Sequence, residues 1–362
     1  METVDFQRLT NDAVALLSKL IVVPSVSRDE QAAADVLQQQ MEEWGLHPQR
    51  VGNNVWANDP FLHPDKPTIL LNAHIDTVKP VATWTRDPFH PTLEGDRLYG
   101  LGANDCGGGL VSLLQVFRLL CNEKNRDFNV IYAASCEEEV SGSGGMTLLL
   151  SSNVLPPFQV AIVGEPTGMQ PAIAEKGLMV IDGYAHGVSG HAAREEGVNA
   201  IYKALDDLVW LRDYRFERVS QLLGAAKMTV TVVESGTQHN VVPDALHFVL
   251  DVRPNELYQN EEIYDFLCSH MQHCELKARS FRLRSSSIPA DHPLIRQCVA
   301  LGMQPFGSPT LSDQALIPGW SFKLGPGQSS RSHTADEFIC VSEIRDSIET
   351  YWKIIGAANH LG

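Results

Sequence analysis

Short, unbroken apolar runs that end on polar, ligand-type residues dominate the first half of the chain. Thr68-Ile-Leu-Leu-Asn72 leads to His74, Asn129-Val-Ile-Tyr-Ala-Ala134 leads to Glu137-Glu-Glu139, and Val160-Ala-Ile-Val163 leads to Gly164-Glu165. Runs without polar alternation suit the central strands of a parallel sheet covered on both faces. Helical spacing alternates with them. Val14 to Val23 reads as a helix stopped by Pro24, and Ser27-Arg-Asp-Glu30 reads as a capping box opening a second helix. That second helix aligns Ala33, Val36, Leu37, Met41 and Trp44 on one face, and Gly107 to Leu120 aligns Leu110, Leu113, Leu114, Phe117 and Leu120. In open α/β sheets ligands collect at the carboxyl ends of the strands, where His74, the glutamate triplet and Glu165 all fall.

After about Pro171 the pattern changes. Leu178 to Ala185, Lys227 to Val233, Leu246 to Arg253 and Lys277 to Ser285 read as strands, several with partial alternation, and Asn199 to Asp213 and Asn260 to Cys274 read as helices. The order strand, helix, strand, strand, helix, strand suits an α+β, ferredoxin-like unit with an antiparallel sheet. From about Ser287 helical spacing and ligand-type motifs like those of the first half resume, ending in a helix near Val341 to Ala358. The expected architecture is an α/β catalytic domain with a mixed, mostly parallel sheet, formed by residues 1–174 and 286–362. An inserted dimerisation domain would occupy residues 175–285. At 362 residues the chain exceeds the size at which one core usually stops growing.

Composition narrows the partners. With 44% hydrophobic and 20% charged residues the chain reads as globular, and a net charge of -16 without a Lys/Arg stripe argues against a nucleic-acid partner. The seven cysteines, Cys106, Cys121, Cys136, Cys268, Cys274, Cys298 and Cys340, never form CxxC and suit reduced thiols in a cytoplasmic protein. Met1-Glu-Thr-Val-Asp5 lacks the basic start of a signal peptide, and no run approaches the ~18 apolar residues of a membrane span, so no membrane partner is expected.

The candidate chemistry lies in five places. His74-Ile-Asp76 puts two side chains on one side of an extended segment, where Asp76 can accept the second ring N–H of His74. Gly100-Leu-Gly-Ala-Asn-Asp105-Cys-Gly-Gly-Gly109 resembles a phosphate-cradling loop, but it has no GxxxxGK[ST], and a carboxylate there repels phosphate and suits a metal. Glu137-Glu-Glu139 is either a solvated acidic loop or a site where a cation offsets mutual repulsion. Glu165 and His333 add a further acid and imidazole. Two histidines with three carboxylates suit paired divalent ions, two Zn2+ most readily, with Co2+ or Mn2+ as substitutes. If Asp105 bridges, each ion receives one His, one Glu and a share of Asp105, and a common water completes both.

These segments, in order, resemble the M20 family of metallohydrolases over nearly the whole chain. The markers are Ala73-His-Ile-Asp76, Gly102-Ala-Asn-Asp105, Glu137-Glu-Glu139, Gly164-Glu-Pro166, Gly190-His191, Asn240-Val-Val-Pro243, Asp251-Val-Arg253 and Ser332-His333. The resemblance implies one metal on His74, Asp105 and Glu165 and another on Asp105, Glu139 and His333, with Glu138 as general base and Asp76 behind His74. The register rests on Val140-Ser-Gly142, and a shift of one residue exchanges Glu138 and Glu139. It further implies that His191, from the inserted domain of a second subunit, stabilises the charged carbonyl oxygen, hence a homodimer through that domain. Asn240 and Arg253 would hold the substrate's carbonyl and α-carboxylate, with Arg331 a further candidate. Cys106-Gly107 departs from the family, where Met-Lys is common.

Gly325-Pro-Gly327 ahead of Arg331-Ser-His333-Thr-Ala-Asp-Glu337 resembles the acetylornithine deacetylase branch. The implied activity is zinc-dependent removal of the acyl group from a small N-acyl amino acid, N-acetylornithine first, as in arginine biosynthesis. Acyl-citrulline, N-succinylornithine and succinyl-diaminopimelate are alternative substrates, and a dipeptidase is a third reading. An inactive metal-binding dimer is the non-enzyme alternative. Such a protein usually lacks a ligand or the base, and this sequence lacks neither.

Overall fold

The apolar runs become the middle of a sheet in the computed structural model, which describes residues 4–356. Thr68–His74, Asn129–Ser135 and Val160–Val163 are strands buried at every position. They pair in parallel, with His74 opposite Ser135 and Asn72 opposite Val163. Trp320–Lys323 adds a parallel strand beside Val160–Val163, and Asn54–Asn58 pairs antiparallel on the other flank. The result is a mixed, mostly parallel sheet.

Both faces of that sheet are covered, which is why its strands carry no polar alternation. Ile69, Leu71, Ala73, Val130 and Tyr132 pack with residues of the helices Phe6–Val22, Gly108–Leu120 and Val341–Gly356. The intervening Leu70, Ile131, Ala133 and Ala161 pack with Met146, Leu149 and Ile317. All the ligand-bearing strands therefore end at one edge, rigidly held.

Several local expectations change. Gln31–Glu43 is a helix, but no capping box opens it: Ser27 Oγ donates to Asp76 Oδ2 at 2.6 Å, and Glu30 Oε1 accepts the N–H of Arg28 and of Glu137. Those two side chains support site loops instead. The last helix is Val341–Gly356, and its expected extension to Ala358 lies outside the described residues, as does the reading of Met1 to Thr3.

The chain divides into two compact units. The first comprises Met1–Ile173, Ile288–Phe306 and Ser312–Gly362; the second comprises Ala174–Ser287 and Gly307–Leu311. The short Gly307–Leu311 segment falls in the second unit because Ser308 O accepts the Lys176 N–H at 3.4 Å and Gly307 lies against the Leu222 backbone.

Within the second unit the sheet order is Lys227–Ser235, Ala245–Arg253, Met179–His186, Cys274–Ala278, antiparallel throughout. Ala200–Asp213 and Asn260–His270 cover one face, packing Ala204, Leu211, Ile263 and Leu267 with Ile181, Phe248 and Leu250. This is the strand arrangement of a split βαβ unit. The last strand lies ahead of the expected Lys277 to Ser285, and its helix ends before Cys274. The cause is Asp207, whose buried carboxylate accepts the N–H groups of Gln272, His273 and Cys274 at 2.8–2.9 Å and so ends the helix and starts the strand. Burial opposes ionisation of Asp207, but the three donors outweigh it and hold its carboxyl below the usual range.

All seven cysteines are free thiols. No described helix is long and apolar enough to cross a membrane.

The glycine run ahead of the Gly108–Leu120 helix is a matter of close approach. A Cβ on Gly109 would lie 1.7 Å from Gly164 O, and one on Gly107 would lie 2.4 Å from Gly102 O. Bare backbone there lets the loop bearing Asp105 reach the strand end bearing Glu165. Gly109→Ala is therefore expected to cost about 1–3 kcal/mol in denaturant unfolding and to lower metal content, as overpacking of a tight site does. Wild-type values for both would refute the requirement. In the second unit Asp207→Asn is expected to cost about 1–3 kcal/mol, since the amide turns an N–H donor toward donors it cannot satisfy; an unchanged urea midpoint would count against that account.

Candidate metal centre

His74 is the last residue of a buried strand, and its Nδ1 lies 2.9 Å from the backbone oxygen of Asp76. Nδ1–H donates there, which leaves the Nε2 lone pair facing the site. Nε2 stands 3.3 Å from Asp105 Oδ1 and 3.7 Å from Glu165 Oε1. On the other side His333 Nε2 stands 3.6 Å from Asp105 Oδ2 and 2.9 Å from Glu139 Oε2. Each oxygen of Asp105 thus faces a different imidazole, and each imidazole has a glutamate beside it. Ligand atoms bound tetrahedrally at about 2.0–2.2 Å to one ion lie about 3.3–3.6 Å from each other. Three of the four separations fall in or beside that range, and the fourth, His333 to Glu139 at 2.9 Å, is a direct hydrogen bond.

The glutamate triplet divides three ways. Glu137 adopts φ +55°, and its carboxylate accepts the Gly144 N–H at 3.1 Å, beside Gly142, where any Cβ would lie 1.8 Å from Oε2. It serves its own loop. Glu139 meets His333, and Glu138 lies among Glu165, His74, Asp313 and Glu139. His333 itself adopts φ +60°, a left-handed conformation costly for a residue with a Cβ, held by the surrounding segment.

Negative charge is in excess here. Burial and the charge of Glu165 push the Glu138 carboxyl well up, while burial and Asp105 push Glu165 up to about 8. Glu165 Oε1 is buried and accepts no hydrogen bond. His333 is raised to about 9, chiefly by its hydrogen bond to Glu139. Carboxylates that hold protons this far up are short of positive charge, and divalent ions on these donors would relieve the shortage. The residue set fits paired divalent ions.

Cys106 also lies near His74 and Glu165. Its sulfur is buried, 3.2 Å from the His74 N–H, and burial pushes its thiol far up. Cys106 therefore packs against the backbone of His74, between its N–H and its carbonyl oxygen.

Three carboxylates hold the cluster in place. Asp76 accepts Ser27 Oγ–H and the backbone N–H groups of Glu138 and Glu139 at 3.1 and 3.2 Å, and its carboxylate stands 3.6 Å from His74 Nδ1. His74 Nδ1 thus faces both the backbone oxygen and the carboxylate of Asp76, and the same carboxylate fixes the two glutamates. Glu337, 2% exposed, accepts the N–H groups of Gly102, Asn104 and Asp105 at 2.8–3.1 Å. Burial pushes it up to about 7. Asn104 exchanges hydrogen bonds with the Gln328 backbone, so the loop of Asp105 is latched to the segment of His333. Asp313 accepts Ser135 Oγ–H and is raised to about 6 by burial. The sequence alone marks no role in the site for Glu337 or Asp313, and it reads Glu30 as part of a capping box. Lone carboxylates in loops carry no periodicity, and only the position of Glu337 beside the His333 motif offered a signal.

The remaining candidates lie apart. His191 is exposed in the second unit, in the short strand Gly190–His191 paired with Val241–Val242, and Asn240 O accepts the Ala192 N–H at 3.0 Å. His191 and Asn240 are thus neighbours on one surface. Arg253, also in the second unit, makes a forked contact with Asp251 at 2.8 and 3.0 Å. Arg331, in the first unit, gives both Nη atoms to Glu343 at 2.8 and 3.1 Å and stacks on Phe338. That pairing packs Arg331 against its own segment.

Peptidase family M20/M25/M40 matches residues 70–357. A peptidase M20 domain-containing protein of Schizosaccharomyces pombe is 25% identical over 95% of this chain and 84% of its own length. The acetylornithine deacetylase of Proteus mirabilis is 29% identical over 79% of this chain and 78% of its own. Among solved structures, the YXEP protein of Bacillus subtilis, described as a dinuclear metal binding peptidase, superposes with a TM-score of 0.72 at 18% identity, covering 96% of this chain and 98% of that one. With a family match across most of its length and the same fold over nearly all of it, the chain belongs to peptidase family M20/M25/M40.

Proposed function

We propose that the protein is a two-metal amidohydrolase that removes the acyl group of a small N-acyl amino acid, N-acetylornithine first. The carrying observation is Asp105, each of whose oxygens faces a different His and Glu pair. Family membership makes the chain a hydrolase of amide bonds, and the name of the Proteus mirabilis relative supports the acetylated amino acid.

His74, Asp105 and Glu165 would hold one ion and Asp105, Glu139 and His333 the other. Zn2+ suits these donors best, with Co2+ or Mn2+ as substitutes. Two such ions would supply Lewis acidity to the scissile carbonyl and lower the pKa of a water. Glu138 takes the proton of the attacking water and returns it to the leaving nitrogen. Asp76 fixes the backbone of Glu138 and Glu139, so base and ligand keep their separation.

His191 and Asn240 would serve the active site of a second copy. Their exposure on one surface supports this, as does the Lys227–Ser235 strand, whose outer edge is unpaired among the described residues and whose Val232 and Val233 are exposed. Free edges of this kind invite strand pairing between copies. Seven free thiols support a cytoplasmic setting.

Metal analysis of the pure protein is expected to give two divalent ions per chain, and a reproducible value of one or none would refute the two-metal reading. Glu138→Gln should keep both ions and lose about 10²–10⁴-fold in kcat, the usual contribution of a general base; full activity with full metal would reassign the base. Across N-acetylornithine, N-acetylcitrulline, their succinyl analogues and succinyl-diaminopimelate, kcat/KM is expected to be highest for N-acetylornithine. A flat panel would sink the ornithine assignment and leave the hydrolase reading standing.

A further inference from the structure

Aromatic side chains gather at one end of the helical layer in the second unit. The helix Ala200–Asp213 carries Trp210 in its last turn and runs on into Tyr214 and Phe216. The helix Asn260–His270 places Glu262, Phe266 and His270 at i, i+4 spacing, hence on one face. Tyr214 stacks on Trp210 with ring centroids 4.9 Å apart and meets Phe266 at 5.0 Å. Phe216 stands edge to face with Tyr214 at 5.2 Å and with Tyr258 at 5.5 Å. Rings packed this way usually close a core. Here Tyr214, Phe216, Tyr258 and Phe266 leave a cavity of about 230 Å³ between them.

Three charged side chains line this cavity: Glu217, Glu262 and Arg218. Arg218 is committed. It pairs with Glu262, donates to Leu257 O at 2.7 Å, and lies over the Tyr258 ring 3.8 Å from its centroid. Arg215, nearby in sequence, gives Nη1 to the backbone oxygens of Arg212 and Tyr214 and does not line the cavity. Among the described residues Glu217 forms no ion pair, and the Tyr214 hydroxyl has no hydrogen-bond partner. After burial and Tyr258, Glu217 is near enough to help hold the Tyr214 phenol above its ordinary range. The cavity thus combines several π systems with one uncompensated carboxylate. Ring faces and carboxylates both attract cations, and the stacking of Arg218 on Tyr258 shows that these rings accept one. An anion would meet repulsion from Glu217. The volume is below that of drug-sized ligand pockets and limits the occupant to a small ion.

We propose that this cavity binds a free small alkylammonium ion, held against the Tyr214 and Phe266 rings with Glu217 beside it. None of its residues belongs to the metal cluster, and the site does not rest on the substrate reading above.

The test uses the zinc-loaded full chain with choline as the probe, beside its uncharged isostere in which carbon replaces the ammonium nitrogen. Calorimetry is expected to show choline binding about tenfold tighter than the isostere and weakening with added salt. Tyr214→Leu, Phe266→Leu and Glu217→Gln are each expected to weaken choline binding about three- to tenfold, the loss of one cation–π or charge contact. Glu217 is exposed, so Glu217→Gln is expected to keep its fold even where a ring variant does not, and unfolding midpoints identify any variant that is merely destabilised. Weaker choline binding in a variant with a wild-type midpoint supports the site. Choline binding absent in the wild type, matched by the isostere, or unchanged in every folded variant overturns it. Binding is read without turnover, so failure of this site and failure of the hydrolase reading are separate results.

Discussion

Repulsion among Asp105, Glu138, Glu139 and Glu165 is the constraint around which the first unit is built. Four carboxyl groups cannot stay this close on packing alone, and two imidazoles are too few to neutralise them. Burial, with the charges of Glu165 and Asp105 beside it, displaces the Glu138 and Glu165 carboxyls upward. A fold that retains such a cluster must hold each carboxylate from behind. Asp76 does this for Glu138 and Glu139, Glu337 for the loop of Asp105, and the strand end for Glu165. The supporting carboxylates are themselves buried, and their backbone N–H donors offset the cost of burying them.

The same constraint explains which parts of the chain are rigid. Every ligand follows a strand or a helix start that is buried on both sides, or is latched to one that is. His74 ends a fully buried strand, and His333 sits on a segment tied by Asn104 and Glu337 to the loop of Asp105. Candidate metal ligands on elements of this kind are held in place by the chain itself, as a preorganised site requires. Of the exposed candidates, His191 lies instead on a short strand pair of the second unit, and Asn240 sits in the turn just ahead of the partner strand.

Much of this is legible in the sequence for a physical reason. A strand covered on both faces must be apolar throughout, so Thr68–His74 and Val160–Val163 stand out, and the ligands after them follow from where open sheets bind. Local signals fail where a side chain has a better partner far away. Ser27 and Glu30 spell a capping box, yet Asp76 and the loop of Glu137 take their hydrogen bonds. The fourth strand of the second unit is misplaced by its local pattern because Asp207, distant in sequence, sets its start. Glu337 and Asp313 are invisible as supports, since their partners are backbone N–H groups and a serine hydroxyl that no periodicity marks.

The glycine run from Gly107 to Gly109 shows how one local pattern can serve opposite chemistries. In a phosphate loop, glycines open the backbone so that N–H groups can point at an anion. Here the N–H groups of Gly102, Asn104 and Asp105 point at Glu337, a carboxylate already supplied by the chain. The glycines that follow are bare because Gly164 O and Gly102 O occupy the space a Cβ would need. An anion-binding backbone is therefore present, but its anion is internal. Its effect is to aim the Asp105 carboxylate outward, where its two oxygens can be shared between cations.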